Sequence, residues 1–312
     1  MGPMPSGDAT FYEDKRDWSA YNERLVQRGE LYLDLEWVGS WDDELAAMNG
    51  AKRGRPYRYP ESMVEFLAAV RVVLRLPYRS MEGFLRGLSK VVEAVEAPDY
   101  TTLWWRMARM DLTWEVHEGD EPVVIAVDSS GLKVTNRGEW LREKWPGRRT
   151  RGWIKVHVGV DVQTREIVAL EVTDERVGDT RMFPALVKGA EETLGEGRVA
   201  RVLADAAYDS RANFQLLRER GIEAGIRIKR GASRKSQGSM ARPLAVRELR
   251  RLGYEGWRER YGYGKRWSAE QVFSSVKRMM GEGVLARRKD LMMKEAAMKF
   301  MVYNALLGGP MQ

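Results

Sequence analysis

The chain contains no cysteine and only two histidines, His117 and His157, among its 312 residues. The first absence excludes a disulfide framework, a thiolate zinc site, an iron–sulfur cluster and a cysteine nucleophile. The second excludes any mechanism that needs several imidazoles, such as a His-rich metal cage. No apolar run approaches membrane-spanning length, and the opening segment MGPMPSGDATFYEDKRDW carries acids where a signal peptide would have a positive region followed by an apolar stretch. A cytosolic, soluble protein with no membrane partner is therefore expected, and any catalysis falls to carboxylates. Otherwise the composition is that of a globular protein, 44% hydrophobic and 31% charged, and the length is enough to bury a core without covalent staples.

The charge is unevenly placed. Lys and Arg number 52 against 45 Asp and Glu, a formal +7. Residues 229–266 alone hold twelve basic side chains, Arg234 and Lys235 among them, against three acids, so the rest of the chain is slightly negative. A localised positive stretch is what contact with a phosphate backbone requires, whereas the same charge spread evenly would say little.

Residues 1 to about 60 are mixed and aromatic-rich, and end in the basic Gly/Pro stretch 52–58, which reads as a linker. After it, Met63, Phe66, Leu67, Val70 and Leu74 recur at helical spacing and predict a helix from Pro60 to Leu74. Pro77 and the candidate N-cap Ser80 open a second helix through Leu88, and Pro98-Asp99 precede a third over Tyr100 to Arg109. Three short helices with tight turns suit either a helix-turn-helix-like unit, with Arg106 available to DNA, or an ordinary helical bundle.

From Glu121 the pattern changes. Val123 to Val127 is a continuous apolar run, a strand covered on both faces, that delivers Asp128 at its end. Ile154 to Val162 and Glu166 to Thr173 read as an antiparallel hairpin turning at Gln163-Thr164, followed by a helix over Asp179 to Thr193. A strand from Val199 to Ala204 ends at Asp205, then come a helix over about 210–219 and a strand at 223–229. The order β-β-β-α-β-α-β implies a mixed α/β sheet with flanking helices. The stretch between the last strand and the final helices reads as a flexible basic loop with a short helix.

An acid at the tip of a buried strand is costly unless it is paired, hydrogen-bonded or metal-bound. Either Asp128 or Asp205 alone would pass for a strand-ending turn residue; two such tips invite a shared hard cation. Farther on, a rotation of about 100° per residue sets Arg266, Glu270 and Lys277 within roughly 40° of one another on one helix face, with Val272, Val276 and Met279 on another side. Taken alone, that face is also compatible with a solvated surface carrying an i,i+4 ion pair.

Tyr263-x2-Arg266-x3-Glu270-x6-Lys277 is similar, at every position and spacing, to the Y-R-E-K signature of DDE transposases from prokaryotic insertion sequences, the insertion-sequence four/five superfamily. Ala126-Val127-Asp128-Ser129-Ser130-Gly131 resembles the first catalytic block of that family, and Leu203-Ala204-Asp205-Ala206-Ala207-Tyr208-Asp209-Ser210 the second. Trp153 to His157, Asp174 to Pro184, Trp18 to Asn22 and Pro98 to Leu103 also look like the family's, so the resemblance covers nearly the whole chain. It implies a ribonuclease-H-like catalytic domain over 119–308, with 229–264 as its basic loop, behind a helical DNA-binding region over 1–118. It further implies a catalytic triad of Asp128, Asp205 and Glu270 holding two Mg²⁺ or Mn²⁺ ions. Tyr263, Arg266 and Lys277 would contact the transposon-end backbone, with Lys155, Arg234, Lys235 and Arg106 as further DNA contacts. The partners are then double-stranded DNA, as inverted-repeat ends and target, and a second copy of the chain, since two ends must be held together.

Smaller features stay two-sided. His157 could line the cleft or be a satisfied structural histidine, and Asp209 reads as a cap for the following helix. Trp257 could stack on a flipped base or be packed. Arg53-Gly54-Arg55-Pro56 resembles a minor-groove hook core and equally an extended linker. Two other functions are compatible with the chain: a catalytically silent DNA-binding protein derived from a transposase, and a different two-metal nuclease.

Overall fold

The computed structural model describes residues 17–33, 35–112, 116, 119–134, 152–233 and 239–308. The apolar run from Val123 forms a central strand because each of its faces has a layer to bury against. Ala126 joins one hydrophobic core, while Val123, Ile125 and Val127 join another on the opposite face. This strand, β1 (Val123–Lys133), lies in a five-stranded sheet with β2 (Trp153–Asp161), β3 (Ile167–Asp174), β4 (Val199–Ala204) and β5 (Glu223–Ile226), in the order β3-β2-β1-β4-β5. β1, β2 and β3 run antiparallel in turn, whereas β4 is parallel to β1 and β5 to β4. This is the ribonuclease-H-like arrangement. β1 does not stop at Asp128 as expected: its pairing with β2 continues to Lys133 opposite Trp153, past the polar residues that end the hydrophobic run.

Helices α1 (Trp18–Glu30), α2 (Glu36–Gly39) and α3 (Trp41–Asn49) occupy the region read only as mixed sequence. Short helices give little periodic signal, and the anchors here are aromatic: Trp37 is buried against Phe66 and Trp41, with ring centroids 5.7 and 5.8 Å away. α4 (Glu61–Leu74) and α6 (Tyr100–Arg109) fall where expected, α6 capped by the Asp99 side chain accepting from the N–H groups of Thr101 and Thr102. α5 (Tyr78–Leu88) begins before Ser80, with Pro77 in the capping position.

One apolar core contains residues of α4, α5 and α6, of β2, and of α10 (Trp267–Met280) and α11 (Lys289–Gly308). The opposite face of the sheet is covered by α7 (Asp179–Leu194) and α8 (Arg211–Glu219), through Phe183, Leu186, Phe214 and Leu217. The basic stretch is more ordered than a loop with a short helix. α9 (Ala241–Tyr261) runs for 21 residues, bent at Gly253, whose φ of 70° and ψ of 175° suit only glycine. Trp257 and Tyr261 bury its far half, and the many arginines leave enough apolar positions for one helical face.

Two buried polar clusters join the helices to each other and to the sheet. Arg71 of α4 pairs with Glu295 of α11 at 3.1 Å, both almost fully buried. Glu295 also accepts from the N–H groups of Leu285 at 2.6 Å and Ala286 at 3.0 Å. Asn304 of α11 both donates to and accepts from the backbone of Ile167, 2.8 Å in each direction, fixing the start of β3. Removing one partner of a buried ion pair strands the other's charge. Glu295→Ala is therefore expected to lower unfolding free energy by about 3–5 kcal/mol, read as a fall in the urea midpoint; a change within error would mean that the pair lies outside the cooperative core.

Candidate active site

The last parallel step between β1 and β4 pairs Val127 with Ala204, so the next residues, Asp128 and Asp205, emerge side by side at one edge of the sheet. β4 stops there, and Asp205 caps the 3-10 turn Ala206–Tyr208 by accepting from the Ala207 N–H at 2.8 Å. Glu270 comes from across the cleft, in the first turn of α10. Burial pushes the Asp128 carboxyl above the usual carboxylate range, with the negative charge of Asp205 and Glu270 adding to the push. The Ser129 N–H, 2.8 Å from Asp128 Oδ1, and the Arg266 guanidinium act in the other direction.

Arg266 lies between two of the acids, 3.4 Å from Asp128 Oδ2 and 2.5 Å from Glu270 Oε1. It precedes α10 in a 3-10 turn over Tyr263–Arg266, yet still shares a side with Glu270 and Lys277, as the helical spacing predicts. Lys277 donates to Ser130 Oγ at 2.7 Å, and burial lowers its pKa. The opposite side of α10 is buried through Val272, Val276 and Met280, with Met279 only partly covered. Tyr263 is buried against Trp257, ring centroids 4.9 Å apart, and its phenol is pushed up to about 12 by that burial. The Arg266 guanidinium sits 5.9 Å from the Tyr263 ring centre.

Arg106 is not available to DNA: it is buried, donates to the Tyr59 carbonyl at 2.7 Å, pairs with Glu61 and lies over the Tyr57 ring, so it joins α6 to the start of α4. Lys155 is ion-paired with Asp179 at 2.6 Å. Asp209 is not a helix cap; Ser210 caps α8, while Asp209 pairs with Arg242 and accepts from the Lys229 N–H at 2.9 Å. Trp257 is packed, not exposed to stack. Arg234 and Lys235 lie outside the described residues.

The sequence reading missed a polar cluster on the other face of β1. Asp179 Oδ1 accepts from Ser129 Oγ and Lys155 Nζ, each at 2.6 Å, and lies 3.6 Å from His157 Nδ1. The hydrogen bonds from Lys155 and Ser129 overcome the upward push of burial and hold the Asp179 carboxyl low. The buried Tyr208 phenol borders the group, raised by burial and by the charges of Asp179, Asp128 and Asp205. The signals available were an acid at a helix start, which reads as favourable helix electrostatics, and the family-like blocks Trp153 to His157 and Asp174 to Pro184.

The donors at the sheet edge suit a hard divalent ion in kind, since all are carboxylate oxygens and the charges of Asp205 and Glu270 are felt at Asp128. Among the described residues, no three acidic or imidazole groups are spaced as a preformed cation cage, and the Arg266 guanidinium supplies the positive charge between Asp128 and Glu270.

A ribonuclease-H-like sheet with adjacent acids on β1 and β4 and a third acid on a facing helix defines a class of phosphoryl-transfer proteins. Within it, the chain belongs to the transposase DDE domain family: a model of that description matches residues 119–305, and a second of the same description matches 26–137. Among solved structures, the chain is similar to piggyBac transposase in a synaptic complex with hairpin DNA, at 9% identity and a TM-score of 0.40, covering 91% of this chain and 74% of that one. It is also similar to the Drosophila P element transposase strand transfer complex, at 11% identity, a TM-score of 0.31, and 87% and 70% coverage. For the Mos1 strand transfer complex the identity is 11%, the TM-score 0.29, and the coverage 96% and 90%. With TM-scores this low, these likenesses add nothing to the family assignment, which rests on the sequence match. Among the described residues, no helix is long and apolar enough to cross a membrane.

His157 is fully buried, and desolvation lowers its pKa to about 4 despite the nearby Asp179. Because the folded value lies below the unfolded value of 6.5, the unfolded chain takes up the proton first. Its contribution is therefore intact above pH 6.5 and is lost as the pH falls toward 4. Urea midpoints of wild type and His157→Gln should converge across that window; parallel profiles would show that this imidazole does not titrate on unfolding.

Proposed function

We propose that this chain is an active insertion-sequence transposase of the Y-R-E-K group, which binds the inverted-repeat ends of its element, cleaves them by metal-dependent hydrolysis and joins the freed 3′-OH ends to target DNA. What supports this reading is the register that sets Asp128 beside Asp205, with Arg266 joining Asp128 to Glu270 and Lys277 donating to the neighbouring Ser130.

Asp128, Asp205 and Glu270 would hold two Mg²⁺ or Mn²⁺ ions. Such ions supply a deprotonated water or 3′-OH nucleophile and neutralise charge at the phosphorus and the leaving 3′-oxygen. The protein contributes placement. The β1–β4 register fixes two carboxylates relative to each other, and α10 brings the third from a separate element. Arg266 is suited to clamp a backbone phosphate through its fork of donors, with Tyr263 packed beside it, and Lys277 to act as a point charge. The basic residues of 229–266, Arg234 and Lys235 among them, would supply further phosphate contacts, and the N-terminal helices would provide the remaining end contacts. Two copies of the chain hold the two ends.

A duplex carrying the element's terminal repeat and its flank tests the reading. Mg²⁺-dependent nicking at the repeat boundary is expected, reduced roughly a hundred- to a thousandfold, the scale for removing a group that stabilises transition-state charge, in Asp205→Ala or Glu270→Gln, with duplex binding retained. Binding without nicking would identify a silent DNA-binding protein, and nicking without end preference a general nuclease.

The phosphate contacts have a separate test. Arg266→Ala and Lys277→Ala should each weaken duplex binding and reduce the slope of log K against log salt by about 1, measured by fluorescence anisotropy across a KCl series. An unchanged slope would remove that residue from the phosphate contacts.

A further inference from the structure

Beyond Val127, β1 loses its partner on the β4 side, and until Lys133 meets Gly283 it is held in the sheet by β2 alone. Asp128 sits at the start of this one-sided stretch. Side chains alternate along a strand, so Asp128 and Ser130 face α10, whereas Ser129 points to the α7 side. Hydrogen bonds restrain the strand from both faces, Arg266 reaching Asp128 Oδ2 at 3.4 Å among them. On the α10 side Lys277 donates to Ser130 Oγ at 2.7 Å. On the α7 side Ser129 Oγ donates to Asp179 Oδ1 at 2.6 Å, and Lys155 Nζ, 2.6 Å from the same oxygen, anchors that carboxylate from β2. Ser129 is in turn the residue whose N–H donates to Asp128 Oδ1.

We propose that Asp179 is a positioning residue for the catalytic carboxylate: with Lys155 it pins Ser129 from behind the sheet and so fixes the direction of the Asp128 carboxylate toward the metal ions. The inference rests on the transposase reading given above. Asp179 touches none of the three catalytic carboxylates; its effect passes through one serine whose side chain faces one layer and whose N–H serves the other. Partners of metal ligands act in this way, orienting donors they do not replace, and their loss typically weakens metal binding or activity 10- to 100-fold.

The test is a calorimetric titration of Mn²⁺ into the full chain bound to a terminal-repeat duplex, with Mg²⁺-dependent nicking measured beside it. Asp179→Ala and Ser129→Ala should each weaken Mn²⁺ binding by roughly 10- to 100-fold and slow nicking, with duplex affinity unchanged. The double variant should be no worse than the worse single variant, because both break one connection. Asp179→Asn keeps an oxygen for the Ser129 hydroxyl and should recover much of the loss; it also keeps the test open if the alanine variant does not fold. Asn304→Ala, which loosens β3 far from the site, should lower the melting temperature without affecting Mn²⁺ binding. Asp179 variants that lose thermal stability but keep wild-type Mn²⁺ affinity would overturn the proposal. Mn²⁺ binding unaltered by Asp128→Ala would instead overturn the metal-site reading on which it depends.

Discussion

Repulsion among Asp128, Asp205 and Glu270 is the constraint around which this structure is arranged. Strand register forces the first two together, and the entry of α10 adds the third, so the sheet edge carries concentrated negative charge that burial makes more costly. Arg266 relieves part of it by reaching both Asp128 and Glu270. The guanidinium acts as countercharge for the acids, and the phosphate contact proposed for it would draw on the same fork of N–H groups. On the proposed reading, positive charge added between the acids would free the guanidinium for an incoming anion.

Much of the catalytic half was legible because its signals are local. An unbroken apolar run specifies a strand covered on both faces, and two such runs ending in aspartate specify neighbouring tips once β1 and β4 pair. The helical spacing of Arg266, Glu270 and Lys277 survives even though Arg266 belongs to a tighter turn, since rotation over so few residues differs little between the two helix types. The helices of residues 61–109 were likewise written in their aliphatic periodicity and in Asp99.

What was hidden depended on partners distant in sequence. Arg106 looks like a solvent-facing arginine in its own helix, and only the packing of α6 against the start of α4 shows its charge to be consumed by Glu61 and the Tyr59 carbonyl. Asp209 has the local surroundings of a cap, yet Arg242, 33 residues on, claims it. Asp179 showed only its position at a helix start and its place in a family-like block, because its meaning comes from Ser129 and Lys155 on two different strands. The ordered α9 was obscured by its arginines, whose charge suggested a loop while Trp257 and Tyr261 supplied the buried face of a helix.

The ion pair between α4 and α11 joins residues 224 positions apart, and the core around it draws on both regions. During synthesis, α4 leaves the ribosome long before the helix that covers it. Its apolar side is then covered only in part, by Trp37, α5 and α6, until α11 emerges, so the N-terminal helices complete their packing only after that helix has been made. The far helix thus completes a core shared by regions at opposite ends of the described residues, a long-range closure that slows folding.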